Sequence, residues 1–454
     1  MTRIPGSVLL LSLAFACAPG NAAVSVSEAE RLDAELTPVG AERTGNREGT
    51  IPPWTGGIQV PPENFVKGQH EADPFPDDQP LFTITAENAA DYAEHLSEGQ
   101  KALLSAYPDT WRMQVYRSRR TASYPEFVYD AIRANATRAE FIAAGKQGVS
   151  GTIVSSPFPI PHSGVEVIWN HSLRWRGIRI SRAEGSAAVT RRGNYRVTLS
   201  EQDFAFPYGL TDMTRYKVKY PELMFAAKSK FIAPSLVAGD GTLVLEPINQ
   251  TDNPRKVWQY RHQNSRILRS PHFAYGVPAP STDGLRTVDE FGLFNGPTDR
   301  FEWELLGKRE LYIPYNAYRL HSGRHGYSNI VHRRHINPDL ARYELHRVWV
   351  VEGRLKDGQR HVYSRRTFYV DEDSWQIAVS DTYDKDGALW RAAEAHVVNF
   401  YTVPVVWSTL EVFYDLKQQR YLVNGLDNKR HAYRFDNEID PREFSPNALN
   451  YYVR

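Results

Sequence analysis

The sequence predicts an α+β protein built on a large curved antiparallel β-sheet, an unclosed half-barrel with helices packed on or plugging its concave side. Short runs of Val, Ile, Tyr, Phe and Trp, broken by Gly, Asp, Asn or Pro turns, follow one another from Gly151 to about Asn424. Short turns between neighbouring strands imply antiparallel pairing. Aromatic residues form 12% of the chain, and large side chains on a twisted sheet favour curvature around a buried interior.

Helical patterns precede these strands. Thr85–Ala106 places its apolar residues at helical spacing, with its first residue as the N-cap, and Pro125–Ala144 predicts a second helix that Gly145 ends. A shorter helix is predicted over Ser27–Leu36, again capped by its first residue.

The predicted strands alternate with residues that tolerate turns. Residues 238–241 and 383–387 contain the Gly and Asp that hairpin turns need. The strands are expected at Glu166–Trp175, Gly177–Ile180, Asn194–Leu199, Leu223–Ile232, Thr242–Pro247, Leu345–Leu355, His361–Val370, Gln376–Tyr383, Leu389–Tyr401 and Glu411–Leu416.

One stretch, Pro254–Arg319, is the most informative. It begins with an aromatic hairpin around Gln263–Ser265, continues through a Pro/Gly/Asp-rich excursion at Tyr275–Asp299, and returns in an extended segment, Phe301–Tyr315. This order suits an antiparallel sheet wrapped around something apolar. The excursion serves either as a gate or as a brace.

The same stretch carries a family resemblance. The runs RKVWQY, TDGLRTVDEF and FNGPTDRFEWELLGKRELYIPYN, with LTPVGAERTGNREGTIPPWTGG near the N-terminus, resemble the bacterial domain-of-unknown-function family 1329. The resemblance implies a fold similar to the periplasmic lipoprotein carriers LolA and LolB. It also implies two partners, an inner-membrane exporter of the resistance-nodulation-division (RND) type and an outer-membrane protein.

The chain divides into five expected parts. Residues 1–23 form a signal peptide, 24–84 an extended segment held by Trp54, Phe65 and Phe75, and 85–150 a helical part. Residues 151–428 form the sheet, and 429–454 an extension packed outside through Phe435, Phe444 and Tyr451. Residues 85–454 are expected to make one structural unit.

The first residues predict export to the periplasm. Met1–Ala23 has a basic start at Arg3, a short apolar core and small residues for cleavage. Lipid attachment at Cys17, the single cysteine, is an alternative, although Phe15 is bulky where a lipoprotein signal favours small residues. A formal net charge of +1 excludes a global field that would attract nucleic acid.

Catalytic chemistry has little support in the sequence. No serine elbow, phosphate loop or dinucleotide fingerprint is present, so no catalytic residue and no cofactor is predicted. His321, His325, His332 and His335 are predicted to be surface-loop histidines without a metal, because their own segment holds several arginines and reaches no carboxylate until Asp339.

Carboxylate pairs offer the alternative function, a secreted hydrolase of glycans or esters. Asp371-Glu372-Asp373 and Asp289-Glu290 are the candidate pairs. The first group is predicted to be solvated at a turn between strands, and Asp283, Asp289 and Asp299 are predicted to brace turns.

The preferred hypothesis is a non-enzymatic periplasmic carrier or chaperone that binds a lipid or other hydrophobic ligand, in envelope lipid transport. Aromatic side chains of the curved sheet would line its cavity. The candidate ligand-binding residues are Trp169, Trp175, Phe225, Phe231, Trp258, Tyr260, Trp303, Tyr312, Trp349 and Phe368.

Overall fold

The computed structural model describes residues 23–142, 148–210, 223–250, 252–270 and 275–454. Within them, one 16-stranded sheet organises the chain, and β3 and β4 form a separate pair. The expected signal peptide and Cys17 fall almost wholly outside the described residues, as does Gly145. No helix in the described part of the chain is both long enough and apolar enough to cross a membrane.

Every predicted strand except Glu166–Trp175 overlaps an observed strand, although Gly177–Ile180 and Asn194–Leu199 overlap theirs by two residues only. The described residues form 18 strands. They are β1 Phe82–Ile84, β2 Met113–Tyr116, β3 Glu140–Ile142, β4 Gly148–Ser150, β5 Arg179–Val189, β6 Thr198–Ala205, β7 Leu223–Ala233, β8 Gly241–Pro247, β9 Lys256–Arg261, β10 Arg266–Arg269, β11 Phe301–Pro314, β12 Tyr343–Leu355, β13 Arg365–Asp371, β14 Ile377–Tyr383, β15 Leu389–Phe400, β16 Val405–Asp415, β17 Arg420–Leu426 and β18 Arg434–Asp436.

The helices are short. They are α1 Val26–Ala29, α2 Glu98–Ala106, α3 Glu126–Ala136, α4 Gly164–Leu173, α5 Tyr318–His321, α6 Tyr327–Ile330 and α7 Pro446–Tyr452, with 3-10 helices at Ala89–His95, Pro207–Gly209, His262–Asn264, Val288–Leu293 and Pro441–Glu443.

The large sheet consists of two antiparallel meanders. One runs β12 to β17 and the other β5 to β10, and they join where β17 pairs antiparallel with β5. On its free edge β12 pairs antiparallel with β11, and on the edge that it shares with β13 it pairs over two residues in parallel with β2. The path of paired strands begins at β1 and ends at β10. The prediction of a large, unclosed, mostly antiparallel sheet with few helices is confirmed.

Two predicted helices are shorter than expected. The pattern Thr85–Ala106 splits into a 3-10 helix and α2, because Ser97 between them makes a capping box with Gln100. The predicted cap at Thr85 is therefore wrong. The second helix, α3, ends at Ala136 and the chain enters β3. Near the N-terminus, Ser25 and not Ser27 caps α1.

The predicted strand Glu166–Trp175 is wrong, because this stretch forms α4. Nine residues of α4 are buried, including the polar Glu166 and Asn170. A helix buried on every side lacks the polar face that gives a helical period, so its short apolar run cannot be told from a strand. The helix packs on β11 and β12.

Aromatic side chains hold both ends of the chain on the body. Trp54 meets Tyr129 edge to face, and Phe65 meets Tyr401 in the same way. The guanidinium of Arg119 lies 4.6 Å from the Phe75 ring centroid. At the other end, Phe435 and the buried Phe444 pack inward, whereas Tyr451 is 77% exposed, so its expected packing role is wrong. The domain boundaries themselves stay a prediction.

Candidate functional site

A cavity of about 230 Å³ lies between the strands β5–β9 and the excursion Tyr275–Asp299. Each of these five strands, or the residue just before it, contributes side chains, and alternate residues of one strand line the cavity because successive side chains point to opposite faces. The lining residues are Arg182, Glu184, Gln202, Phe204, Phe225, Ala227, Lys228, Ser229, Thr242, Val244, Glu246, Arg255, Val257, Ala279, Pro280, Arg286, Val288, Phe291, Asn295 and Asn424.

Three phenylalanines form the apolar part of the cavity. Phe204 of β6 stacks on Phe291 of the excursion at 5.5 Å between ring centroids. Phe225 of β7 lies 6.1 Å from Phe291 and 6.4 Å from Phe204. Such pairs contribute about 0.5–1.5 kcal/mol each beyond their buried area. The cluster therefore joins the sheet and the excursion across an apolar surface.

The excursion is braced at Asp289. Its carboxylate accepts hydrogen bonds from Arg366 at 2.6 Å and from Thr287 at 2.6 Å, and His361 lies 3.2 Å away. Burial raises the pKa of Asp289, but Arg366 and His361 outweigh burial and hold it well below the usual range. Asp289 therefore has a structural role, but through side-chain partners and not, as predicted, by bracing a turn; the turn-bracing roles of Asp283 and Asp299 stay predictions. Next to this anchor, Gly292 adopts a φ of +64°, a conformation that favours glycine.

Most charged groups of the cavity are paired. Arg182 contacts Glu184 at 3.0 Å, Arg255 contacts Glu246, and Lys228 contacts Asp203 at 3.4 Å. Arg286 differs, because its buried Nε and Nη1 have no hydrogen-bond partner among the described residues.

The charge of Arg286 acts on the buried carboxyl of Glu411. Burial raises the pKa of Glu411, and the charge of Arg286 opposes that rise. The Oε2 of Glu411 is likewise without a hydrogen bond in the described part of the chain. The Arg286 guanidinium thus keeps donor capacity beside the phenylalanine cluster.

Comparison with known proteins identifies the family. The profile of DUF1329, described as a protein of unknown function, matches residues 83–450. The chain belongs to this family. It is also 42% identical over 441 residues to the uncharacterised protein PA3922 of Pseudomonas aeruginosa, covering 97% of this chain and 96% of that one. The resemblance seen in the sequence is confirmed.

Solved structures with some similarity include another DUF1329 protein, from Desulfovibrio piger, which is 15% identical. The match covers 60% of this chain and 92% of that one, with a TM-score of 0.40. A Vibrio parahaemolyticus domain assigned to outer-membrane lipoprotein sorting has 12% identity, 63% and 98% coverage, and a TM-score of 0.43. A LolA superfamily protein from Nitrosomonas europaea has 9% identity, 63% and 99% coverage, and a TM-score of 0.36.

The ten predicted ligand-binding aromatics of this DUF1329 protein are not brought together. Phe225 lines the cavity. Trp169, Trp175 and Tyr312 belong with Phe225 to the main core cluster, whereas Phe368 forms a second cluster against which Trp303 and Trp349 pack. Tyr260, with Trp258 packed against it, belongs to a cluster with the C-terminal residues, and Phe231 is half-buried on β7. Their part in ligand binding stays a prediction.

Sequence reasoning missed three lining residues of this DUF1329 cavity. Phe204 lies beyond the predicted end of its strand, which in fact continues to Ala205. Phe291 and Arg286 lie in the excursion, where no candidate ligand-binding residue was predicted. Their meeting depends on the path of the excursion over the sheet, which local periodicity does not encode.

The carboxylates considered for hydrolysis lie in ionic networks. Asp371, Glu372 and Asp373 are buried, so the prediction of solvated turn residues is wrong. Arg120 donates to Asp373 at 2.7 Å, and Lys308 lies 2.7 Å from Glu372. Burial and the neighbouring Asp373 raise the pKa of Asp371. None of these carboxylates lines the cavity, and the comparisons give no support to a hydrolase.

The histidine segment is also partly buried, in contrast to the prediction. His321 and His335 are buried, while His332 is exposed and His325 is half-buried. His321 lies between Asp427 at 2.7 Å and Glu71 at 3.1 Å. Burial lowers the pKa of His321, but these two carboxylates outweigh it and raise the pKa to about 10. The carboxylates that the local sequence lacks come from distant parts of the chain.

Proposed function

We propose that this DUF1329 protein is a periplasmic, non-enzymatic carrier that binds the apolar part of an amphiphile, such as a lipid, between the sheet and the excursion. The observation that carries the proposal is the cluster of Phe204, Phe225 and Phe291 within a cavity bounded by five strands and a braced segment. An acyl chain costs about 0.8 kcal/mol per methylene to hold in water, so a carrier needs such an apolar surface.

The size of the cavity limits what it encloses. Sites for drug-sized ligands span about 300–1,000 Å³, and this cavity measures about 230 Å³. We therefore expect it to hold part of a chain or a compact hydrophobic group, with the remainder of the ligand outside.

Arg286 supports a ligand with an anionic or strongly polar head. It lines the same cavity as the phenylalanine cluster, two of its buried nitrogen atoms have no hydrogen-bond partner among the described residues, and a guanidinium binds carboxylate or phosphate oxygens well. An apolar tail on the phenylalanines and a head at Arg286 together describe an anionic amphiphile.

The proposal also includes a location and two partners. The signal-peptide pattern of Met1–Ala23 supports the periplasm. The family resemblance supports an RND-type exporter and an outer-membrane protein as the partners between which the carrier moves its ligand.

Native mass spectrometry of the protein, purified from periplasm without detergent, tests the proposal. We expect a stoichiometric hydrophobic species that organic extraction releases, and saturable uptake of a fluorescent fatty acid. Phe291→Ala should weaken that uptake about tenfold, because burying a phenylalanine side chain against the ligand is worth about 1.5–3 kcal/mol.

The matched control is Phe65→Ala, which removes another half-buried phenylalanine, one packed on Tyr401 outside the cavity. Its uptake should equal that of the wild type. Protein that is empty after purification and takes up no probe would refute the carrier, and equal losses in both variants would refute this cavity as its site.

A further inference from the structure

Three side chains from separate parts of the chain converge beside α5. His70 lies in the N-terminal segment, His321 ends α5, and Asp427 directly follows β17. One ring nitrogen from each histidine and one carboxylate oxygen lie within 4.8 Å of one another. The two imidazole rings meet edge to face, with 4.7 Å between their centroids.

Two atoms of this cluster lack partners. The Nδ1 of His70 and the Oδ1 of Asp427 are buried and have no hydrogen-bond partner among the described residues. Buried polar atoms in folded proteins are nearly always paired. Both atoms can offer a lone pair, so a bound cation would satisfy them.

The hydrogen bonds fix which nitrogen of His70 is available. Its Nε2 lies 3.1 Å from the carbonyl oxygen of Arg430. Because a carbonyl oxygen only accepts, Nε2 must carry the hydrogen, and in the neutral ring the lone pair is on Nδ1. That lone pair belongs to the atom without a partner.

His321 differs, because both of its ring nitrogens face carboxylates, Nε2 at 3.1 Å from Glu71 and Nδ1 at 2.7 Å from Asp427, so both carry hydrogens when no metal is bound. A metal ion would replace the Nδ1 hydrogen, which leaves as a proton, while Nε2 keeps its hydrogen bond to Glu71. A carboxylate that accepts from the outer nitrogen of a metal-binding histidine fixes the ring orientation and raises its basicity. Glu71 occupies that position.

We propose that His70, His321 and Asp427 bind one divalent transition-metal ion such as Zn²⁺, with Glu71 as the positioning residue for His321. Two imidazoles and one carboxylate are a ligand set that zinc accepts at about 2.0–2.2 Å from each donor atom. Small side-chain shifts within the 4.8 Å cluster would bring the donors to those distances.

The site has an entry path and room for a further ligand. His70 and Glu71 line a polar cavity of about 650 Å³, together with Asp73, His325 and His431. The side chains of Arg319, Arg324 and Arg430 border the same cavity and oppose a cation. The carboxylates of Glu71, Asp73 and Asp427 offset that charge.

A second cluster, His346, Asp371 and Asp373, shows the contrast. There Arg120 donates to Asp373 at 2.7 and 2.8 Å. A guanidinium cannot release a proton to make room for a metal ion, whereas an imidazolium can, so this cluster forms a closed ionic network and carries no metal proposal.

The metal would fasten the N-terminal segment to the sheet. His70 belongs to that segment, whereas Asp427 follows a central strand. An ion that binds only the folded arrangement stabilises it in proportion to its affinity and concentration. We therefore expect the metal to raise the melting temperature and to protect the segment around His70 from proteolysis.

The test is a titration of the chelator-treated, full mature protein with Co²⁺, followed by its visible d–d bands, and with Zn²⁺ by calorimetry. We expect one ion per chain. His70→Gln should weaken binding at least tenfold, in line with the loss of a direct ligand. The matched control is His431→Gln, an exposed histidine on the same cavity outside the triad, which should bind like the wild type.

His70 is only half-buried, so circular dichroism should show a folded His70→Gln variant even where Asp427→Asn fails to fold. Saturable binding by the wild type, lost with His70 and kept without His431, supports the site. The absence of saturable binding by the wild type would overturn it and leave a charged His321 between two carboxylates as a purely structural triad. Equal affinities of wild type and His70→Gln would overturn it as well.

Discussion

The two meanders of the sheet differ in how their strands are covered. In the β12–β17 half, every residue of β14 and β16 is buried. Successive residues of β15 belong to different hydrophobic clusters. Ala392 is in the cluster that contains Leu103 of α2, and Ala393 is in the cluster that contains Leu293 of the excursion. In the β5–β10 half, buried and half-buried residues are interspersed along β5 and β6. One half is a core packed on both faces, and the other leaves room for a cavity.

The excursion links the two halves. Asp289 is anchored to Arg366 of β13 in the covered half, and Phe291, two residues on, packs against Phe204 and Phe225 in the other. This difference predicts that stability and ligand binding depend on different halves of the sheet. Changes in the β12–β17 half should reduce stability, and changes in the β5–β9 cavity should reduce binding.

The largest expected effect comes from Arg120→Ala. Arg120 pairs with the buried Asp373 and Glu372, and removing one partner of a buried ion pair leaves uncompensated charge, which costs about 3–5 kcal/mol. Urea unfolding measures that loss. The control is Arg434→Ala, whose exposed pair with Asp436 should contribute less than about 1 kcal/mol. Equal losses in the two variants would remove the contrast between buried and exposed pairs.

The next largest effect is on the pH dependence of the free energy of unfolding, to which Glu394, beneath α2, contributes. Burial is the main cause that raises its pKa from 4.5 to about 7, against hydrogen bonds from Gln100 and Tyr343. The folded state thus holds the proton more tightly than the unfolded state. The stabilisation that Glu394 contributes is fully present below pH 4.5 and is lost as the pH rises to about 7. The free energy of unfolding should fall by about 3 kcal/mol over this range.

Glu394→Gln should remove this dependence, because a glutamine stays neutral. Unfolding free energies measured between pH 4.5 and 8 should fall less with pH in the variant than in the wild type. Glu87→Gln, at an exposed site ahead of α2, should leave the slope unchanged. A wild-type slope in Glu394→Gln would show that another group controls it.

The sequence was sufficient for features that depend on near neighbours. The hairpin β9–β10 forms around the predicted turn, with Ser265 in the left-handed region, and the long return strand is β11. The buried helix α4 could not be recognised, since its surroundings, and not its own period, decide its burial.

Long-range partners account for most of what was missed. Glu71 and Asp427 lie 250 and 106 residues from His321 in the sequence. Without them, a His-rich and Arg-rich segment resembled a surface loop. Similarly, Arg120 lies 253 residues from the Asp373 that it neutralises, so the carboxylate group resembled an ordinary turn.

The smallest effect tests the cavity half through the head of the ligand. Arg286→Gln removes a guanidinium charge whose buried donors are unpartnered in the described residues. Hydrogen bonds to charged groups are worth about 1.5–3 kcal/mol, so affinity for a fluorescent fatty-acid anion should fall about tenfold, while affinity for its uncharged methyl ester stays constant. Arg266→Gln, an exposed arginine on β10 of the same half, should change neither. Equal losses of affinity for both probes in Arg286→Gln would mean that Arg286 holds the excursion in place rather than the ligand head. The proposal of an anionic ligand would then lose its support, whereas the proposal of an apolar ligand site at the aromatic cavity would keep its support.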